Sequence, residues 1–229
     1  MTDAIASDFP DTEIHLDYYD ANRLGGWTNR HPGVVAWTRS RIGLALQGWH
    51  PYGRWTTSRD ANANNFIGDQ ALRVVDSAAP DDKMALTAAL QEIRALLRAG
   101  GTSVRIVGLS GVGKTRFAQA LFEEDAAPGA LPTQLVVYTD TAESPSPAPL
   151  SLIDELIANN RRAIVVIDNC SSQLHNQLTS RCKASKHISL LTIEYDIRED
   201  RPDETNVFTI ESGSSELIMN LILQQYPFV

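Results

Sequence analysis

Gly108-Leu109-Ser110-Gly111-Val112-Gly113-Lys114-Thr115 is the stretch on which the fold turns. It fits G-x-x-x-x-G-K-[ST], a loop whose glycines let the backbone curl until successive N–H groups face phosphate oxygens. Upstream, Val104 to Val107 is an apolar run that reads as a buried strand. Downstream, Arg116-Phe117-Ala118-Gln119-Ala120-Leu121-Phe122 has helical spacing, with an expected end near Glu124. The start of that helix adds free N–H groups and the positive end of its dipole. Lys114 is expected to reach the terminal phosphates and the Thr115 hydroxyl to bind Mg²⁺. The expected nucleotide-binding set is therefore Gly108, Leu109, Ser110, Gly111, Val112, Gly113, Lys114, Thr115 and Arg116.

The 229 residues have room for one medium α/β domain and a small extra unit. A hydrophobic content of 43% suits a packed core, and a formal charge of −8 argues against a protein coated in basic surface. Cys170 and Cys182 are too few for a disulfide framework and fit a reducing compartment. Met1-Thr2-Asp3-Ala4 lacks the basic start and apolar run of a signal peptide. No stretch approaches the ~20 apolar residues of a membrane span. A cytoplasmic protein without membrane contact is the expectation.

Charge divides the front of the chain. Residues 1–20 hold Asp3, Asp8, Asp11, Glu13, Asp17 and Asp20 without a Lys or Arg. Residues 21–59 hold Arg23, Arg30, Arg39, Arg41, Arg54 and Arg59 without an acid, together with all four tryptophans, Trp27, Trp37, Trp49 and Trp55. Arginine interleaved with aromatics can serve nucleic acid, guanidinium to phosphate and ring to base. The plainer reading is a small helical unit, with helices near 21–30 and 33–43, whose rings form a small core and whose arginines stay solvated. The polar stretch 56–65 marks the boundary, giving a front unit 1–60 and a domain 61–229. Residues 66–76 are expected to be extended around Leu72, Val74 and Val75, a place for base contact. Pro80-Asp81-Asp82-Lys83 resembles part of a nuclease triad but reads as a helix start, Pro early and acids in the first turn. Met84, Leu86, Leu90, Ile93, Leu96 and Leu97 then share one helix face up to Gly100-Gly101.

From Val104 onward strands and helices alternate. Further strands are expected at 135–138, 163–167, 188–193 and 207–210, and helices after Pro149, over 171–183 and over 214–224. Continuous apolar strands separated by helices predict a five-stranded parallel sheet covered on both faces, a three-layer α/β fold. Ligand belongs at the carboxyl ends of those strands.

Asp168 ends the third of these strands, where a carboxylate would hold Mg²⁺, often through water, opposite the Thr115 hydroxyl. Asn169 follows, where many ATPases place a second carboxylate to polarise water. An amide can orient water but cannot take its proton. Either Asp140 or Glu194, at neighbouring strand ends, compensates, or hydrolysis is slow. Lys114, Asp168 and Asn169 are thus the expected catalytic residues, and Thr115 with Asp168 the Mg²⁺ ligands. Cys170, His175, Cys182 and His187 have zinc-ligand chemistry, but Cys170 follows one parallel strand and His187 precedes the next. Those edges lie about five residues apart at ~3.3 Å each, too far for one ion.

The loop GLSGVGKT, the strand VVYTD, AIVVIDN, ISLLTIEYD and VFTI together resemble the nucleotide-binding domain of STAND-type signal-transduction ATPases, of the additional-strand phosphate-loop class. More narrowly, the chain is similar to the ATPase portion of large bacterial defence or conflict proteins. The resemblance covers residues 66–226 well and 14–55 loosely. It implies ATP or ADP with Mg²⁺, and a protein partner or effector domain under nucleotide control. It also implies a polar γ-phosphate sensor at the end of the fourth strand. There Thr192 is followed by Ile193 and Glu194, with Arg198 beyond. A helical lid and winged-helix region would be expected downstream, and the chain stops at Val229. No N/T-K-x-D guanine motif and no L-S-G-G-Q signature is present. The expectation is an ATP/ADP-binding switch with slow hydrolysis. The alternative is a nucleic-acid-binding module gated by nucleotide, contacting nucleic acid through residues 21–59.

Overall fold

The computed structural model describes residues 20–57, 72–195 and 205–211. Two short helices come first, α1 (Ala21–Thr28) and α2 (Pro32–Arg41), broken by His31-Pro32. Asp20 caps α1, its side chain accepting from Arg23 N at 2.7 Å. A two-residue strand β1 (His50–Pro51) and helix α3 (Tyr52–Thr57) follow. Strands β2 (Arg73–Asp76) and β3 (Lys83–Ala85) form a hairpin ahead of the long helix α4 (Leu86–Ala99). The remainder alternates: β4 (Ser103–Val107), α5 (Lys114–Ala120), β5 (Val136–Asp140), α6 (Pro149–Ala158), β6 (Ala163–Asp168), α7 (Ser172–Lys183), β7 (Ile188–Glu194) and β8 (Asn206–Ile210).

The strands form one eight-stranded mixed sheet in the order β1-β5-β6-β7-β4-β8-β2-β3. This corrects the expected five-stranded parallel sheet. Five strands, β5 to β8 and β4, do run parallel, and antiparallel additions cover both of their edges. The additions come from the front of the chain: β1 closes on β5 at one edge, and the β2–β3 hairpin on β8 at the other. A bare parallel edge leaves a row of unpaired N–H and C=O groups, which short antiparallel strands satisfy. Strand β7 lies between β4, which leads into the phosphate loop, and β6, which ends in Asp168.

Apolar side chains alternate across the sheet into two cores. Val104, Ile106, Ile164, Val166, Leu191 and Phe208 pack with α4 and α5 on one face. Val165, Ile167, Leu190 and Ile188 pack with α6 and α7 on the other. This is why β6, covered on both faces, reads as an unbroken apolar run up to Asp168. The segment around β1 wraps the sheet edge, so that Trp49 enters the second core and Trp55 the first. Residues 49–57 thus share their cores with the strands that follow. The expected boundary at residue 60 falls outside the described residues, as do the acids before Asp20, Arg59, Phe66, Arg198 and the helix over 214–224.

Two further expectations are corrected. Pro80 to Lys83 is not a helix start: Pro80 to Asp82 lie in the hairpin connection, Lys83 opens β3, and α4 begins at Leu86. Asp76 accepts from Ala78 N at 2.9 Å, and the Ala79 and Asp82 N–H groups donate back along the turn. Pro and Asp favour turns for the same reasons they favour helix starts, and pairing of Val74 with Ile210 decides between the two. Trp27 and Trp37 do not form a small core either, being 43% and 50% exposed, whereas Trp49 and Trp55 are 3% exposed. Helix α2 approaches the sheet through Pro32, Gly33 and Ala36. A Cβ on Gly33 would stand 2.7 Å from the Val136 carbonyl oxygen, so only small residues fit there and Trp37 turns outward.

Candidate functional site

At the end of β4 the backbone needs glycine for two separate reasons. A Cβ on Gly108 would meet the Ile210 carbonyl oxygen of β8 at 2.7 Å. Gly113, at φ 92°, takes the left-handed conformation at the N-terminus of α5. The first helical bond that closes on the loop runs from Phe117 N to Gly113 O at 2.8 Å. First-turn N–H groups have no acceptor within their own helix, and a curled loop ahead of a helix is the kind of backbone that can receive an anion.

A cleft of about 340 Å³ opens over this loop, within the roughly 300–1,000 Å³ usual for small-ligand sites. Ser110, Gly111, Gly113, Lys114, Thr115, Arg116, Asp168 and Asn169 line it, with Glu194 and Tyr195. The sheet makes this convergence possible. Asp140 and Asp168 are register partners on β5 and β6, and Glu194 faces Val107 across β7 and β4, so their ends form one rim. Gly108, Leu109 and Val112 are not on the lining. Gly108 makes the strand exit, Leu109 is exposed, and Val112 packs on the core beneath.

Lys114 Nζ donates to the carbonyl oxygens of Gly108 and Leu109 at 2.9 and 2.8 Å, and stands 5.9 Å from the centre of the Tyr195 ring. Burial lowers its pKa, and the nearby Asp168 carboxylate opposes that shift. Thr115 Oγ1 donates to Asp168 Oδ2 at 2.8 Å. The two residues expected to hold Mg²⁺ are therefore in contact, although 53 positions separate them. Asp168 Oδ1 accepts from Asn169 N at 2.9 Å, and Tyr138 donates to Oδ2 at 3.4 Å. A hydroxyl and a carboxylate are the hard oxygen donors that Mg²⁺ takes, so the set fits that ion.

Asn169 has φ 52°, a left-handed conformation that asparagine tolerates better than most residues. Its Nδ2 donates to Asp140 Oδ1 at 2.8 Å, and its carbonyl accepts from Thr141 Oγ1 at 2.7 Å. Asp140, expected as a stand-in base, thus holds the amide in place. Glu194, the other expected stand-in, forms an ion pair with Arg105. Arg116 lines the cleft, but Glu123 engages its guanidinium through two bonds of 2.8 and 2.7 Å. Thr192 does not face the cleft. It is fully buried, with its hydroxyl 2.7 Å from His175 Nδ1, so the polar groups at this end of β7 are Glu194 and Tyr195.

Tyr138, Arg105 and Tyr195 were not legible as site residues. Tyr138 carries one signal, a phenol directly after Val136-Val137 and two residues before Asp140. Burial pushes the Cys170 and Cys182 thiols up to about 12, with Arg105 partly opposing the shift at Cys170. Among the described residues no group of three or more His, Cys, Asp or Glu is placed to hold a metal. Nor is any helix among them long and apolar enough to cross a membrane.

No family model matches the chain, and no curated protein matches it. Among solved structures, PCH-2 of C. elegans is 16% identical over 52% of this chain, with a TM-score of 0.35. The DnaC helicase loader is 18% identical over 59% of this chain and 77% of its own length, with a TM-score of 0.26. The chain spans 40% of the PCH-2 chain. Overlaps this loose add nothing to what the topology and the cleft themselves display.

Proposed function

We propose that the chain is a phosphate-loop NTPase of the additional-strand class that binds Mg²⁺-ATP and ADP as a regulatory switch with slow hydrolysis. The observation that carries this reading is the 2.8 Å contact between Thr115 and Asp168 beside Lys114, under a loop curled for phosphate. Thr115 and Asp168 would hold Mg²⁺, which supplies neutralising charge at the terminal phosphates. Lys114 would exchange two neutral carbonyls for anionic phosphate oxygens, adding opposite-charge attraction to bonds whose donor is already ionised. The strand β7 between β4 and β6 supports the additional-strand class. The motif resemblance supports the STAND subtype and, through it, signal transduction in bacterial defence.

Slow hydrolysis follows from Asn169. Its amide, held by Asp140, can orient a water but leaves that water its proton. Lys114, Asp168 and Asn169 are the catalytic set in this reading. Residues 61–229 would bind the nucleotide, and residues 1–60 would carry the output to a protein partner or effector. A second reading, nucleic-acid contact through residues 21–59, draws support from the exposed Trp27 and Trp37. Arg41 lies 5.4 Å over the Trp37 ring, a pairing that can stack on bases.

Titration of ATP and ADP with and without Mg²⁺, on the wild type and on Lys114→Ala, tests the reading. Binding that Mg²⁺ strengthens and Lys114→Ala weakens by at least roughly tenfold is expected. A folded chain that ignores both nucleotides, or binds them equally well without Lys114, refutes it. Short DNA or RNA held by the chain with steep salt dependence would favour the second reading.

A further inference from the structure

The six-residue helix α3 reaches the phosphate site from two sides. Tyr52 donates to Glu123 Oε1 at 3.1 Å, and Glu123 in turn grips Arg116 on the cleft wall. One turn later Trp55 stacks on Tyr138, with ring centres 4.5 Å apart and planes 11° from parallel. Tyr138 donates to Asp168 Oδ2, the same oxygen that accepts from Thr115. Trp55, Tyr138 and Asp168 are all buried. A direct chain of contacts therefore runs from the front block to the acid expected to hold Mg²⁺.

Packing alone does not call for the Tyr138 hydroxyl, since phenylalanine would present the same ring to Trp55. At 3.4 Å the phenol's bond to the carboxylate is long, but the acceptor is ionised and the low dielectric around it strengthens what the contact supplies. A Thr115 hydroxyl that turns a lone pair to a cation keeps its O–H for Asp168. Tyr138 is a second side-chain donor to the same oxygen and orients the carboxylate, with Trp55 flat against its ring.

We propose that Tyr138 is a positioning residue for Asp168, and that Trp55, stacked on it, makes α3 the element through which the front block senses Mg²⁺ at the nucleotide site. This rests on the nucleotide reading of that site. Hydrogen-bond partners of metal ligands are typically worth roughly 10–100-fold in metal affinity. Tryptophan emission supplies a readout that a merely structural role would not move.

The experiment titrates ADP, then Mg²⁺-ADP, into the wild type, Tyr138→Phe and Trp55→Phe, following affinity and tryptophan emission together. The wild type should change emission when Mg²⁺ joins ADP, and Trp55→Phe should lose that change. In Tyr138→Phe the enhancement of ADP binding by Mg²⁺ should fall roughly tenfold and the emission change should disappear. Tyr138→Phe that retains both the enhancement and the emission change overturns the proposal. So does a wild type whose Mg²⁺-dependent emission change is unaltered in Trp55→Phe, a comparison that does not require Tyr138→Phe to fold. A wild type that binds no nucleotide fails earlier, before any variant is compared, and overturns the nucleotide reading along with this one.

Discussion

Acid should destabilise the protein through one buried imidazole. His175 is fully buried on α7, with Thr192 Oγ1 2.7 Å from Nδ1 and Thr205 and Thr179 hydroxyls 2.9 and 3.2 Å from Nε2. Burial, with a smaller contribution from Arg105, lowers its pKa from 6.5 to about 3. A group whose folded pKa is depressed stays neutral in the native state while the unfolded chain takes up a proton. Stability is therefore lost as pH falls from about 6.5 towards 3. At 1.36 kcal/mol per unit, the full shift corresponds to about 5 kcal/mol, of which about 2 kcal/mol is lost by pH 5. The assay is urea unfolding of the wild type and of His175→Gln, a polar side chain that does not titrate, at pH 7.5 and pH 5.0. The wild type should lose about 2 kcal/mol more than the variant between the two. Equal losses, within about 0.5 kcal/mol, would mean that the imidazole is protonated at no cost in the fold, and the reasoning would be wrong.

Arg94 makes a second test. It is fully buried on α4 and donates to the carbonyl oxygens of Ala120, Leu121, Glu123, Ala127 and Pro128, which end α5 and turn the chain after it. Arg94→Met leaves those acceptors without this donor and should cost about 3 kcal/mol or more by urea unfolding. A loss under about 1 kcal/mol would show that solvent replaces the guanidinium freely. Asn169→Glu should raise ATP turnover by roughly 10²-fold or more if the missing base keeps hydrolysis slow. The left-handed backbone there should cost the variant about 1 kcal/mol of stability. Unchanged turnover in single-cycle assays would remove the case for Asn169 as the slow element.

The parts of this protein legible from sequence are those whose cause is local. The phosphate loop is one: its glycines and Lys114 lie within eight consecutive residues, and any backbone that curls there must use them. The strands β4 to β8 are others, since branched apolar runs between helices leave only strands covered on both faces. Asp168 was legible because a strand end after four branched apolar residues is itself a local pattern. Pro80 to Lys83 was not, because turn and helix start use the same residues and the choice lay with β8, over 120 positions away. Nor was the division among the tryptophans, which depends on Gly33 and Ala36 bringing α2 against Val136.

Sequence alone determined that a strand, a phosphate loop and a helix follow one another, and that an acid waits at another strand end. It could not order the strands, because register and neighbour come from side chains packing across the sheet rather than along it. Tertiary structure decided that β7 lies between β4 and β6, that the Thr115 hydroxyl meets Asp168, and that Trp55 stacks on Tyr138 behind that acid. These are contacts between residues that no short window contains, and burying apolar surface on both faces of one sheet is what brings them together.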